Sequence, residues 1–136
     1  EKKYLEYAEW IVSCWGKEGG PKPDILAQAL EGKNVVDMFP KPKKDAKDYM
    51  DGGLSKSYEM MSCYEGLVEL YRITKKEEYK QAAMNAAKAI LDREITVLGS
   101  GSIWERWVDG KFCQQRESEH WMETCVSATS AHSYCA

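Results

Sequence analysis

The sequence has no apolar run near the roughly eighteen residues that a membrane-crossing helix requires, so no span is expected. It also has no concentrated basic face. Its basic residues are dispersed except for Lys41, Lys43 and Lys44 in a proline-punctuated stretch, and the net charge is -3. A nucleic-acid partner is therefore not expected. No signal peptide is visible, and the first residue is Glu rather than Met, so an upstream leader or domain is expected to have been removed. The compartment is left open. The five cysteines are odd in number and lack close regular spacing, which argues against a disulfide scaffold. Cys14 and Cys63 fall inside helical patterns and read as buried free thiols. Phenylalanine is scarce, two residues against five Trp and eight Tyr. Aromatics that carry a polar handle line sugar clefts and interfaces as readily as they fill cores.

What is present is the material of one globular domain, residues 1–136, long enough to bury roughly two thirds of its unfolded surface. In "KKYLEYAEWIVSCWGK", Leu5, Ala8, Val12 and Trp15 recur at helical spacing, and Gly19, Gly20 and Pro21 end the pattern. A short helix is expected over "PDILAQALEG", with Pro23 at its opening and Gly32 past its end. A long loop, 33–54, follows; within it "VVDMFP" is apolar enough to dock on a surface. Two strong helices come next. One carries a stripe of Tyr58, Met61, Tyr64, Leu67, Val68 and Tyr71. The other carries Tyr79, Ala83, Ala86, Ala87 and Ile90 in an alanine-rich context that favours helix. The short link at Lys75 and Lys76 makes the pair an antiparallel hairpin.

After Ile95 and Val97 the period changes. Gly99 and Gly101 break the helix, and Asp109-Gly110 between apolar runs is a hairpin signal, so a small β-ribbon is expected around 95–113. The segment 119–130 reads as helix again, with Met122, Val126 and Thr129 inward. The fold class is all-α: helical hairpins joined by alternately short and long loops, as in toroids and solenoids. No internal repeat is evident.

The chemistry-bearing residues cluster late. "HWMETC" places His120, Glu123 and Cys125 within six residues, and "SIWERW" places Glu105 between Trp104 and Trp107. Together with "YEMMSCYEGLVELYRITKKEEYKQAA" and the "GSGSIWERW" loop, these resemble glycoside hydrolase family 127, the β-L-arabinofuranosidase-like enzymes, over about residues 1 to 129. The resemblance implies an (α/α)6 barrel and a zinc ion held by one glutamate and three cysteines, one of them the nucleophile. It implies Glu123 and Cys125 as two of the ligands and Glu105 as the acid/base, with Glu117 and Glu119 as weaker alternatives. A zinc-bound thiolate is ionised at neutral pH, and a carboxyl group opposite it protonates the leaving group of a retaining reaction.

The family's downstream Cys-Cys pair is absent from this sequence, and Cys135 stands in a different context. Four or five helices are also fewer than a full barrel needs. The chain therefore reads as a truncated, inactive glycosidase-like protein with a non-family tail, 130–136. Two ligands rarely hold zinc, so the metal is expected to be weak or absent unless His120, His132 and Cys135 complete a substitute site. Trp104, Trp107 and Trp121 are the candidate sugar-stacking faces. If exposed, they favour a homo-oligomer. Two other readings stand beside this one. The chain could be a helical self-assembling module using the face of Tyr64, Leu67 and Tyr71, or a metal- or thiol-reactive protein using Cys113, Cys125 and Cys135.

Overall fold

A computed structural model describes residues 2–39, 55–96, 99, 101–102, 105–107 and 125. Among the described residues four helices follow in order: α1 (Lys2–Ser13), α2 (Ile25–Leu30), α3 (Ser57–Thr74) and α4 (Glu77–Arg93). The protein is all-α, and among the described residues extended pairing is limited to one antiparallel bridge, Lys56 to Arg106.

The α3–α4 hairpin is the centre. Its turn needs Lys75 in the left-handed region (φ 59°), where the Lys75 N–H donates to Tyr71 O at 2.8 Å and closes α3. The Thr74 hydroxyl donates to Leu70 O at 2.7 Å and accepts from Lys76 N at 3.3 Å, so few polar groups are left open. α3 buries Met60, Met61, Tyr64, Leu67 and Leu70, and α4 buries Tyr79, Ala82, Ala83, Ala86 and Ile90. The small alanine face lets the two axes approach closely.

Tyr58, placed inward by the sequence stripe, is 48% exposed. At about 100° per residue it lies well off the arc that runs from Leu70 through Leu67 and Tyr64 to Met61. That same arc takes in Met60 and Leu70, which the stripe omits. Tyr64 and Leu67, expected as an interaction face, are instead core at 3% and 1% exposure. The Tyr64 hydroxyl donates to Ile25 O at 3.2 Å, and burial keeps it protonated well above the ordinary tyrosine range.

α1 lays Leu5, Ala8 and Val12 against this core without fully burying any residue. It is held at one end by an ion pair from Lys76 to Glu9. Trp15 packs beside them beyond the end of the helix. The turn back to α2 depends on two glycines. A Cβ on Gly16 would sit 2.8 Å from Asp24 Cβ, and one on Gly20 would sit 2.0 Å from Cys14 O. Asp24 is thereby placed to cap α2, accepting from Ala27 N at 3.0 Å, a bond of the kind worth about 1 kcal/mol.

α2 packs Ile25 and Ala29 on α4, where Asn85 donates to Ala29 O at 2.9 Å. The following turn buries Val35 and Met38, as its apolar composition suggests, and Arg93 pairs with Asp37 at 3.2 Å. Cys14 and Cys63 are half-buried rather than buried. No described helix is long and apolar enough to cross a membrane.

Candidate functional site

Beyond α4 the chain turns back to the start of α3. Glu94 N donates to Ile90 O at 2.8 Å, ending the helix, and Gly99 N donates to Thr96 O at 2.9 Å. Gly101 then passes so close to the core that a Cβ there would meet Ile95 Cδ1 at 3.1 Å and Trp107 Cζ3 at 3.3 Å. Residues 105–107 run antiparallel to 55–57. The Ser57 amide donates to Glu105 O at 2.9 Å and the Trp107 amide to Ser55 O at 3.0 Å. The Ser55 hydroxyl adds a bond to Trp107 O at 3.2 Å. Three hydrogen bonds thus fasten this return segment to the head of α3.

Two consequences follow. The ring of Trp107 enters the core at 2% exposure. It is therefore a packing anchor and not the sugar-stacking surface expected of it, because pairing with Ser55 points it inward. Glu105, two residues earlier, stays exposed. Its backbone is left-handed (φ 61°), as is that of buried Ser102 (φ 60°), a conformation uncommon for residues other than glycine and costing about 1–2 kcal/mol each. Strain of this kind is retained where the surrounding structure dictates the geometry.

Glu105 forms an ion pair with Lys56, the residue that opens α3. Lys56 lies far away in the chain, and the pairing of 55–57 with 105–107 brings it near. The hydrogen bond and charge of Lys56 hold the Glu105 carboxyl below the usual glutamate range, helped slightly by Arg106. Lys56 is correspondingly pushed up by Glu105. A carboxyl group that donates a proton near neutrality needs the opposite displacement. In this arrangement Glu105 is an anion, suited to accepting a proton or stabilising positive charge.

Behind the exposed pair lies a polar interior that the sequence did not signal. Glu94 is wholly buried and engaged, and Ser55, Ser57, Thr96 and Ser102 are buried with it. Among the described residues, the buried atoms Ser57 Oγ, Ser102 Oγ and Trp107 Nε1 find no hydrogen-bond partner.

No protein family, curated protein or solved structure matches the chain.

Of the zinc ligands suggested by the resemblance, the described residues include only Cys125, which is helical and exposed. Among the described residues, no group of three His, Cys, Asp or Glu side chains comes together to hold a metal. They do not by themselves fit a zinc ion. His120, Glu123, His132, Cys135, Trp104, Trp121, Glu117, Glu119 and Cys113 lie outside the described residues, as do the Asp109-Gly110 turn, the tail and, Cys125 excepted, the helix expected over 119–130. Cys63 is a poor nucleophile at neutral pH, because burial and the nearby Glu59 push its thiol up.

Proposed function

We propose that this chain carries one side of a glycoside-hydrolase-type site on a partial α/α toroid, and that the parent chemistry is hydrolysis of arabinofuranosyl-type glycosides. Glu105 is its acid/base carboxylate, and Glu123 with Cys125 is half of a zinc–thiolate set. The ribbon expected around 95–113 belongs to the same reading. The observation that carries it is the presentation of Glu105: left-handed at its own backbone and followed by buried Trp107, it holds one exposed carboxylate at the head of the central hairpin. The "GSGSIWERW" and "HWMETC" stretches supply the rest of the support.

Because the sequence has no Cys-Cys pair, the nucleophile is not among its residues. The chain is expected to bind such sugars weakly, to hold zinc weakly or not at all, and to turn nothing over alone. The test is titration with a methyl arabinofuranoside, followed by NMR at the Lys56, Glu105 and Arg106 resonances. Saturable shifts centred on these residues are expected. Their absence, or equal shifts with an unrelated hexopyranoside, overturns the reading.

A second reading, self-assembly, is favoured by a specific surface. α1 turns Tyr4, Tyr7 and Trp10 outward at 68%, 59% and 57% exposure, with Tyr7 and Trp10 stacked at 5.5 Å between ring centroids. Exposed apolar surface of this kind favours association. It replaces the Tyr64–Leu67 face, which is core. Native mass spectrometry at micromolar concentration is expected to give a homo-oligomer; a strict monomer rules this reading out.

A further inference from the structure

We infer that Lys56 is a positioning residue of the candidate site: its ammonium group fixes the direction of the Glu105 side chain and keeps that carboxyl group in one charge state at the head of α3. The inference rests on the reading of Glu105 as the site carboxylate.

The geometry is specific. Lys56 is the N-cap residue of α3, yet its side chain makes no cap hydrogen bond and reaches instead across the antiparallel bridge to Glu105. Both backbones are fixed there. Glu105 O accepts from Ser57 N at 2.9 Å, while one residue on either side Ser55 and Trp107 are joined twice. The two side chains therefore start from anchored positions, and less side-chain entropy is lost on pairing than for two free surface residues. Among the described residues, Lys56 is the first influence on the Glu105 carboxyl. The other charged groups acting on the pair are Arg106, beside it in its own segment, and Glu59, one turn into α3. Arg106 is the weaker influence on Glu105, and Glu59 favours the charged form of Lys56. All of these make Lys56 the group that sets the ionisation of Glu105.

This has a consequence for the reaction. In a retaining hydrolysis the same carboxyl group first gives a proton to the leaving group and later takes one from water. With Lys56 in place, the resting group is prepared for the second role. The first role would need more than displacement of the Lys56 ammonium, which returns the carboxyl only to its ordinary range: Glu105 would also have to take up a proton from water and be held above that range by the bound substrate. Lys56 thereby sets the acid limb of any pH profile that depends on Glu105.

The test is a pH titration of the Glu105 side-chain carboxyl carbon by NMR in the intact chain and in Lys56→Met and Lys56→Arg. In Lys56→Met the midpoint is expected to rise into the ordinary glutamate range, and Lys56→Arg is expected to keep it low. An unchanged midpoint in Lys56→Met overturns the inference. If Lys56→Met does not fold, salt serves on the unmodified protein. About 1 M salt shortens the screening length to about 3 Å and should raise the midpoint of an exposed pair; a salt-independent midpoint overturns the inference equally. Failure of the arabinofuranoside titration with the Lys56→Met shift intact would instead overturn the glycosidase reading alone.

Discussion

The α3–α4 hairpin and the return segment at 101–107 are built on opposite plans. In the hairpin every buried side chain follows from its place on a helical wheel, the connection is two residues long, and the buried polar tyrosine is satisfied by Ile25 O. The described residues of the return segment, 101–102 and 105–107, include left-handed Ser102 and Glu105. Their fixed points come from residues about fifty positions away in the chain, and among the described residues the buried Ser102 Oγ and Trp107 Nε1 find no hydrogen-bond partner. The first plan yields stability from local pattern. The second gives up some of that stability to hold one carboxylate in a fixed place.

The sharpest way to break this contrast is to remove the anchor. Trp107→Ala is expected to destabilise by about 3–5 kcal/mol, from lost burial and a large cavity, measured by chemical denaturation. Trp107→Phe should cost less, because most of the buried ring is kept and, among the described residues, the indole N–H has no partner to lose. If Phe costs as much as Ala, the ring is not the anchor. On the hairpin side, Leu67→Ala is expected to cost about 2–5 kcal/mol, and to lower the melting temperature without a separate early transition. Tyr64→Phe removes the buried hydroxyl that donates to Ile25 O and Met38 Sδ and should cost about 1 kcal/mol. Lys75→Gly should have the opposite sign, stabilising by up to about 1 kcal/mol, since a left-handed helix end suits glycine.

The smallest effect is that of pH on the exposed Lys56–Glu105 pair. The folded-state Glu105 carboxyl lies below its unfolded value, so its contribution is present above the ordinary glutamate range and is lost as pH falls through the folded value. Lys56 is raised, so its contribution is present at neutral pH and lost only as pH rises above the ordinary lysine range. Unfolding curves of the native chain and Glu105→Gln should therefore separate at neutral pH and converge in acid. Separation that grows in acid would reverse the assignment.

The contrast also explains what could be read from the sequence. The hairpin was legible because Met61, Tyr64, Ala83, Ala86 and Ile90 repeat at the helical period, and a period is a local signal. The docking of "VVDMFP" was legible for a similar reason: Val35 and Met38 had to be buried somewhere. Glu105 stood out by its flanking tryptophans. Lys56 did not, because nothing local distinguishes it from other surface lysines and its role exists only through the bridge to Arg106. Trp107 misled for the same cause: its chemistry suits a sugar platform, but its direction is decided by pairing with Ser55. The outward aromatics of α1 were passed over because Leu5, Ala8 and Val12 already gave that helix an inner face.

The return segment is fastened to the core through Trp107 and Ser55 and displays Glu105 on a hairpin whose own packing is the more stable of the two. Amide hydrogen exchange at Trp107 and Ser57, set against Leu67 and Ala86, tests this most directly. The account predicts measurable protection at Trp107 and Ser57, lower than in the hairpin, and abolished by Trp107→Ala while Leu67 and Ala86 remain protected. No protection at Trp107 in the unmodified protein, or loss of hairpin protection together with it in the variant, would contradict the account.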